Sequence, residues 1–246
     1  MPSERVGIVV QVRMSSIRLP GKALISIEGK PLLQRLCDRV SRSRRAGALV
    51  VATSDQPADD SIEAACRAWG VPVFRGPERD PVVRVLGAAR RYALALIVRV
   101  TGDNPLTDPK GIDELIEGFQ DGKPDWASTG HLDGYPYGTG ADLFRVSALK
   151  RCSRIMNNGH DRENFPAFLR EHPEQFSFLK LGIPRYLVRS NYFFSADYPE
   201  DIALLGRIYA HFDGRDDMPL PAILQYLDTE PGVARLNSHL HQPFAD

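Results

Sequence analysis

The segment Gln11–Lys22, read QVRMSSIRLPGK, gathers Arg13, Arg18 and Lys22 around Ser15, Ser16 and Gly21 in one short loop. Cations, hydroxyls and the free backbone N–H groups of a loop suit a triphosphate, because charge-assisted bonds to phosphate oxygens are the strong ones. A solvated loop that is basic by chance is the competing reading. Position argues against it: the loop directly follows the first apolar run, and open parallel sheets bind ligands where strands end. Other phosphate signatures do not apply. Gly21-Lys22 lacks the upstream glycine and the following Ser/Thr of a P-loop, and Gly138-Thr139-Gly140 neither follows a clear strand nor opens a helix.

A second group of candidates is acidic. Thr101-Gly102-Asp103-Asn104-Pro105-Leu106 follows the apolar run Leu96–Val100. A carboxylate at a strand's end, beside a glycine that permits close approach, is a natural Mg²⁺ ligand when phosphates share the cation. Asp103 could equally cap a turn before Asn-Pro. Asp197 closes the apolar run Tyr192–Ala196 in the same manner, with the N-cap of a helix starting at Pro199 as its competing role. Ser54-Asp55 and Arg75-Gly76, after two further apolar runs, could touch a ribose, base or phosphate, or could be turns. Asp161-Arg162-Glu163 reads first as a helix start. His239-Leu-His241 is the only histidine pair with metal-like spacing, and its place near the C-terminus makes it incidental.

The elements that must position these residues alternate regularly in the first half. Val6–Val12, Leu49–Thr53, Val71–Phe74 and Leu96–Val100 read as strands, and Pro31–Arg42, Asp59–Trp69, Pro81–Tyr92 and Pro109–Phe119 as helices. Asp59-Asp60-Ser61, Asp80-Pro81 and Asp108-Pro109 supply helix starts. This alternation predicts βαβ crossovers and a parallel sheet covered on both faces. The second half changes character. Asp125–Gly140 reads as a loop or hairpin, Ala141–Arg145, Phe176–Leu181 and Tyr186–Ala196 as strands, and Ser147–Met156, Arg162–His172 and Pro199–Phe212 as helices. The expected organisation is a single domain over residues 1–246, with a mixed β/α excursion at roughly 125–190 of the kind that caps a substrate pocket or builds a subunit interface.

Composition sets outer bounds. The chain has 31 basic and 31 acidic residues, a formal net charge of +0, which argues against nucleic acid as its main partner. No apolar run approaches the roughly 18–20 residues needed to cross a bilayer. The cysteines form no CxxC pair, and Cys37 and Cys66 fall on apolar helix stripes, so both read as core thiols in a cytoplasmic protein.

Taken together, QVRMSSIRLPGKAL (Gln11–Leu24), VVATSD (Val50–Asp55), VFRG (Val73–Gly76) and RVTGDNPLTDP (Arg99–Pro109) resemble, in order and spacing, cytidylyltransferases of the spore-coat polysaccharide biosynthesis type. These are relatives of the acylneuraminate and deoxy-octulosonate cytidylyltransferases. The first loop, close to the family's Q-A-R-x-x-S-x-R-L-P-G-K, is the most specific part. The resemblance implies a Rossmann-like, GT-A-like nucleotidyltransferase domain and a homodimer. It also implies CTP and Mg²⁺ with a sugar acceptor, and a CMP-linked acidic sugar plus pyrophosphate as products. Carried onto this chain, Arg13, Arg18 and Lys22 would hold the triphosphate, Lys22 stabilising the departing pyrophosphate, and Ser15 with its neighbouring backbone would add contacts. Gln11 and Gly21 belong to the same nucleotide-binding loop. Ser54, Asp55 and Arg75 would line the nucleotide pocket, and Asp103 and Asp197 would hold Mg²⁺. Arg13, Lys22 and Asp103 form the expected catalytic set.

The acceptor side departs from the pattern. Where relatives often read Pro-Arg-Gly-x-Asp-x-Glu-x-Phe, this chain has Pro136-Tyr-Gly-Thr-Gly-Ala-Asp-Leu-Phe144, and a Glu-Arg-Glu-His motif appears as Asp161-Arg162-Glu163-Asn164. Tyr137, Asp142, Arg162 and Glu163 are the residues expected to face the sugar. The alternatives are a nucleotide-sugar-dependent glycosyltransferase of GT-A type and a non-catalytic nucleotide-binding relative. The former generally uses an Asp-x-Asp, which this chain lacks.

Overall fold

The computed structural model describes residues 5–16, 18–120, 124–130 and 134–241. Ile17, within the basic loop, and residues 131–133, within the expected loop or hairpin, lie outside the described residues.

Strand β1 (Val6–Gln11) pairs in parallel with β4 (Leu49–Ser54) on one side and β6 (Leu96–Thr101) on the other, and β4 pairs in parallel with β5 (Val73–Gly76). Antiparallel β8 (Asp142–Arg145) follows β6, then β7 (Trp126–Ser128) and β9 (Phe178–Lys180), giving the order β5-β4-β1-β6-β8-β7-β9. A small ribbon, β2 (Ser26–Ile27) with β3 (Lys30–Pro31), stands apart. The sheet is thus mostly parallel and doubly wound. The chain reverses its winding direction between β1 and β6, where such sheets open a crevice.

The alternation of β1 explains the two layers. Val6, Ile8, Val10 and Val12 enter one core with Leu33, Leu36 and Cys37 of α1 (Leu32–Val40), whereas Val9 enters the opposite core with Val82 and Val85 of α3 (Pro81–Arg91). Helix α2 (Asp60–Ala68) and α4 (Pro109–Gln120) lie on the α1 side, and α5 (Val146–Ile155) on the α3 side. Cys37, Cys66 and Cys152 are all buried and free.

Three expectations need correction. The helix expected over Arg162–His172 is broken at Asn164 into α6 (Gly159–Glu163) and α7 (Phe165–Glu171), because Pro166 lacks the N–H needed to continue it. The strand expected over Tyr186–Ala196 does not form. A 3₁₀ turn occupies Arg185–Leu187, and the remainder makes one isolated bridge, Tyr137 to Phe193. Its apolar side chains Leu187, Tyr192, Phe194 and Ala196 instead pack against α8 (Pro199–His211) and α9 (Leu220–Thr229), followed by the short α10 (Pro231–Ala234). The expected loop at Asp125–Gly140 also contains β7, which fills the sheet between β8 and β9.

Candidate active site

The register of β1 and β6 builds the site. Gln11 lies opposite Thr101, so the loops leaving both strands start side by side. They approach so closely that Gly102 N–H donates to Gln11 O at 2.8 Å, and a Cβ on Gly102 would sit 2.5 Å from Val12 Cβ. Only glycine fits there without displacement.

The basic loop is pinned through the Met14 backbone. Its N–H donates to Asp59 Oδ1 at 2.7 Å, and its carbonyl accepts from Ser16 N–H at 2.9 Å and Gly21 N–H at 3.2 Å. Gly21 turns the loop with φ of +73°, a left-handed conformation that favours glycine, into a 3₁₀ turn at Lys22–Leu24. Asp59 is 2% exposed, and it also accepts from Thr53 Oγ1, Ser54 N–H and Ser54 Oγ. Burial pushes its carboxyl up, but these bonds, led by that from the Ser54 hydroxyl, outweigh it and hold the carboxyl below its usual range. Asp59 was expected to start a helix; its side chain caps nothing and anchors the loop instead.

Residues far apart in sequence meet beside this loop. Lys22 Nζ donates to Asp103 Oδ2 at 2.7 Å and Asp197 Oδ1 at 2.8 Å, and Arg18 reaches the same Asp197 oxygen at 2.8 Å. Burial pushes the Asp197 carboxyl up, yet the bonds from Lys22 and Arg18 prevail and hold it low. Burial likewise opposes the charge on Lys22, and the two carboxylates raise its pKa above the ordinary value nonetheless. Asp197 is not a helix cap: Asp201 takes the N–H groups of Asp197 and Tyr198, leaving the Asp197 carboxylate to face the cations.

These groups line a cleft of about 570 Å³ that also includes Gln11, Arg13, Ser15 and Glu163. Cationic side chains lining it outnumber carboxylates by five to three. Arg13 pairs with Glu163 at 2.9 Å, and Ser15 Oγ donates to Glu78 at 2.9 Å. Two of the cations, Arg84 and Arg99, carry no local sequence signal as site residues. Arg84 is 1% exposed and borders the cleft from α3, its Nε without a partner among the described residues; burial, then repulsion from Arg13, lowers its pKa. Arg99 Nε donates to Gln11 Oε1 at 3.1 Å, and its Nη1 meets Asp142 at 3.0 Å.

A smaller cavity of about 290 Å³ opens on the other side of Arg99, Thr101 and Asn164, which line both spaces. Tyr137 and Asp142 lie there, Asp142 also accepting from Ser128 Oγ at 2.8 Å. Burial foremost, then Asp103 and Asp197, raises the Tyr137 phenol.

Other expected residues lie outside both spaces. Ser54 is buried against Asp59, and exposed Asp55 accepts from Gln56 Nε2. Arg75 is directed toward Ser54 O, Gln56 O, Asp60 and Glu63. Arg162 ties α6 to Asp80, the cap of α3, at 2.6 Å.

A basic loop at the switch point of a doubly wound sheet, facing two carboxylates that share one cation, is the arrangement expected of an α/β nucleotidyltransferase. Comparison with known proteins places the chain more narrowly. The cytidylyltransferase family model matches residues 7–215, and the chain belongs to that family. It is 30% identical over 231 residues to the spore coat polysaccharide biosynthesis protein SpsF of Bacillus subtilis, covering 92% of this chain and 95% of that protein. A shorter stretch of 110 residues is 38% identical to 3-deoxy-manno-octulosonate cytidylyltransferase of Geobacter sulfurreducens, 44% of this chain and 42% of that enzyme. Among solved structures, a cytidylyltransferase from Leptospira borgpetersenii superposes with a TM-score of 0.89 at 28% identity, over 94% of this chain and 97% of that one.

Proposed function

We propose that this chain transfers CMP from CTP to a hydroxyl of an acidic sugar, releasing pyrophosphate, in the synthesis of a surface polysaccharide or glycan. The observation that carries this reading is the convergence of Lys22, Asp103 and Asp197 beside the pinned loop of Arg13 and Arg18. The glycosyltransferase alternative gives way to the family match. The non-catalytic alternative is disfavoured because the charged groups that the chemistry needs stand in one cleft.

In the transfer, the sugar oxygen bonds to the α-phosphorus and loses its proton, while the bond from that phosphorus to the bridging oxygen of pyrophosphate breaks. Little covalent help is needed, so positioning and charge stabilisation dominate. Arg13 and Arg18 exchange their carboxylate partners for phosphate oxygens, and the Lys22 ammonium meets charge growing on the departing pyrophosphate. The pinned backbone at Met14 keeps these cations at the strand end without ordering them anew for each turnover.

The donor set fits Mg²⁺. Asp103 and Asp197 both reach one cationic point, and a pair of carboxylates completed by substrate phosphates is the usual Mg²⁺ arrangement. When bound, the ion would neutralise and polarise the phosphates; Asp103 and Asp197 would hold it. Among the described residues no cluster of three or more metal-ligating side chains exists.

No helix among the described residues is long and apolar enough to cross a membrane. The reading assigns the protein to the cytoplasm as a homodimer joined through the excursion at roughly 125–190. Pyrophosphate release from CTP, Mg²⁺ and a panel of sugar acids including 3-deoxy-manno-octulosonate tests the reading. Release only with CTP and an acceptor supports it. Stabilisation against heat by UDP- or GDP-sugars and not by CTP overturns it.

A further inference from the structure

Two residues that border the smaller cavity each carry a buried polar atom without a partner among the described residues. Trp126, 3% exposed, borders it, and the indole N–H has no partner among the described residues. Asn104 donates to Thr101 Oγ1 at 2.6 Å, but its buried Oδ1 accepts nothing among the described residues. An orphaned donor and an orphaned acceptor on residues that border the cavity are exceptions, since buried polar groups are ordinarily paired.

The charge inventory is equally specific. Arg99 and Asp142 neutralise each other at 3.0 Å, leaving Arg170 as the remaining charged side chain at the cavity. It stands at the last turn of α7, exposed, without a hydrogen-bond or ion-pair partner among the described residues. Position 140 supplies no compensating acid: it is glycine, and a Cβ there would lie 2.9 Å from Gly130 Cα and 3.0 Å from Thr129 O. The cavity therefore carries one uncompensated positive charge and meets the larger cleft across Arg99, Thr101 and Asn164.

We propose that Arg170 reads a carboxylate on the sugar held in this cavity and so determines which acceptors are used. The inference rests on the reading of the chain as a cytidylyltransferase. One unpaired guanidinium matches one carboxylate; a phosphate dianion would ask for more charge than the cavity offers. The planar guanidinium fork also suits carboxylate geometry in a way a lysine ammonium does not.

The test compares wild type with Arg170→Gln and Arg170→Lys. Acceptors are hexuronic, octulosonic and nonulosonic acids, each beside its neutral carboxamide, with CTP and Mg²⁺. Wild type should favour acid over carboxamide by about tenfold to a hundredfold in kcat/KM, the range expected of a hydrogen bond to a charged group. Arg170→Gln should abolish that preference through a raised KM for the acids, leaving the KM for CTP and heat stabilisation by CTP unchanged. Arg170→Lys should keep part of the preference. An acid-to-carboxamide ratio equal in wild type and Arg170→Gln, or wild type preferring the neutral sugar, overturns the proposal while transfer from CTP stands. If CTP is neither bound nor cleaved, it is the donor reading that fails. Titration calorimetry with the same acids alone then decides on Arg170, and equal affinity in wild type and Arg170→Gln refutes its role.

Discussion

Asp59→Asn separates the pinning of the loop from the packing beneath it. Oδ2 of Asp59 accepts from the hydroxyls of Thr53 and Ser54 and from Ser54 N–H, while Oδ1 accepts from Met14 N–H alone. An asparagine that keeps its oxygen toward Thr53 and Ser54 must turn its NH₂ toward Met14, donor against donor. A hydrogen bond to a charged group contributes about 1.5–3 kcal/mol, so losing one should lower stability by about that amount. For a chain of this size that corresponds to a fall in Tm of roughly 3–12 °C. Because Met14 sits between Arg13 and Ser15 and also holds Gly21 and Ser16, the unpinned loop must be reordered by CTP. An ordering cost of about 1.4 kcal/mol would raise the KM for CTP about tenfold.

Acid behaviour provides a second readout of the same contact. The carboxyl of Asp59 is held low in the folded chain, so its contribution is present above the unfolded pKa of about 3.9 and is lost as pH falls through the folded value. Asp59→Asn should therefore lose less stability than wild type on acidification below about pH 4. Urea denaturation across pH, with pyrophosphate-release kinetics at neutral pH, measures both effects. A variant with wild-type denaturation midpoint and wild-type KM for CTP would refute the pinning role.

Three further outcomes are expected. Lys22→Met should cut pyrophosphate release by about a hundredfold or more, as loss of one charge-stabilising donor does. It should also let Mg²⁺ alone raise Tm more than in wild type, because the ammonium between Asp103 and Asp197 is gone; equal Mg²⁺ shifts would contradict this. Gly102→Ala places a methyl 2.5 Å from Val12 Cβ and should cost about 1–3 kcal/mol by overpacking, with kcat lowered by displacement of Asp103; a silent substitution would show that the loops can part freely. Arg75→Ala should leave the KM for CTP unchanged and cost about 1 kcal/mol or less, since Arg75 is occupied by partly exposed Asp60 and Glu63; a rise in KM would bring Arg75 back to the nucleotide.

Local pattern sufficed for β1, β4 and β6, for the helices between them and for the basic loop, because apolar period, proline and glycine act over a few neighbouring residues. It failed at Tyr186–Ala196, whose β-favouring residues read as a strand. A strand needs a partner edge, and tertiary packing of Leu187, Tyr192 and Phe194 against α8 and α9 prevails. The break at Asn164 was foreshadowed by Pro166; the helical period on both sides obscured it.

Residue types at strand ends likewise marked Lys22, Asp103 and Asp197 individually as candidates. That one ammonium bridges carboxylates 81 and 175 residues away was decided by the tertiary fold, in which β6 leads to Asp103 and Ala196 N–H, donating to Asp103 O, brings Asp197 beside it. Asp59 stands at the helix start that its sequence signals, yet its carboxylate anchors the loop, while the Arg75 side chain turns toward α2. In each case the sequence determined the chemistry a side chain can perform. Where that chemistry is applied depended on which backbone donors and charges the fold brought within about 3 Å, since hydrogen bonds vanish beyond that reach.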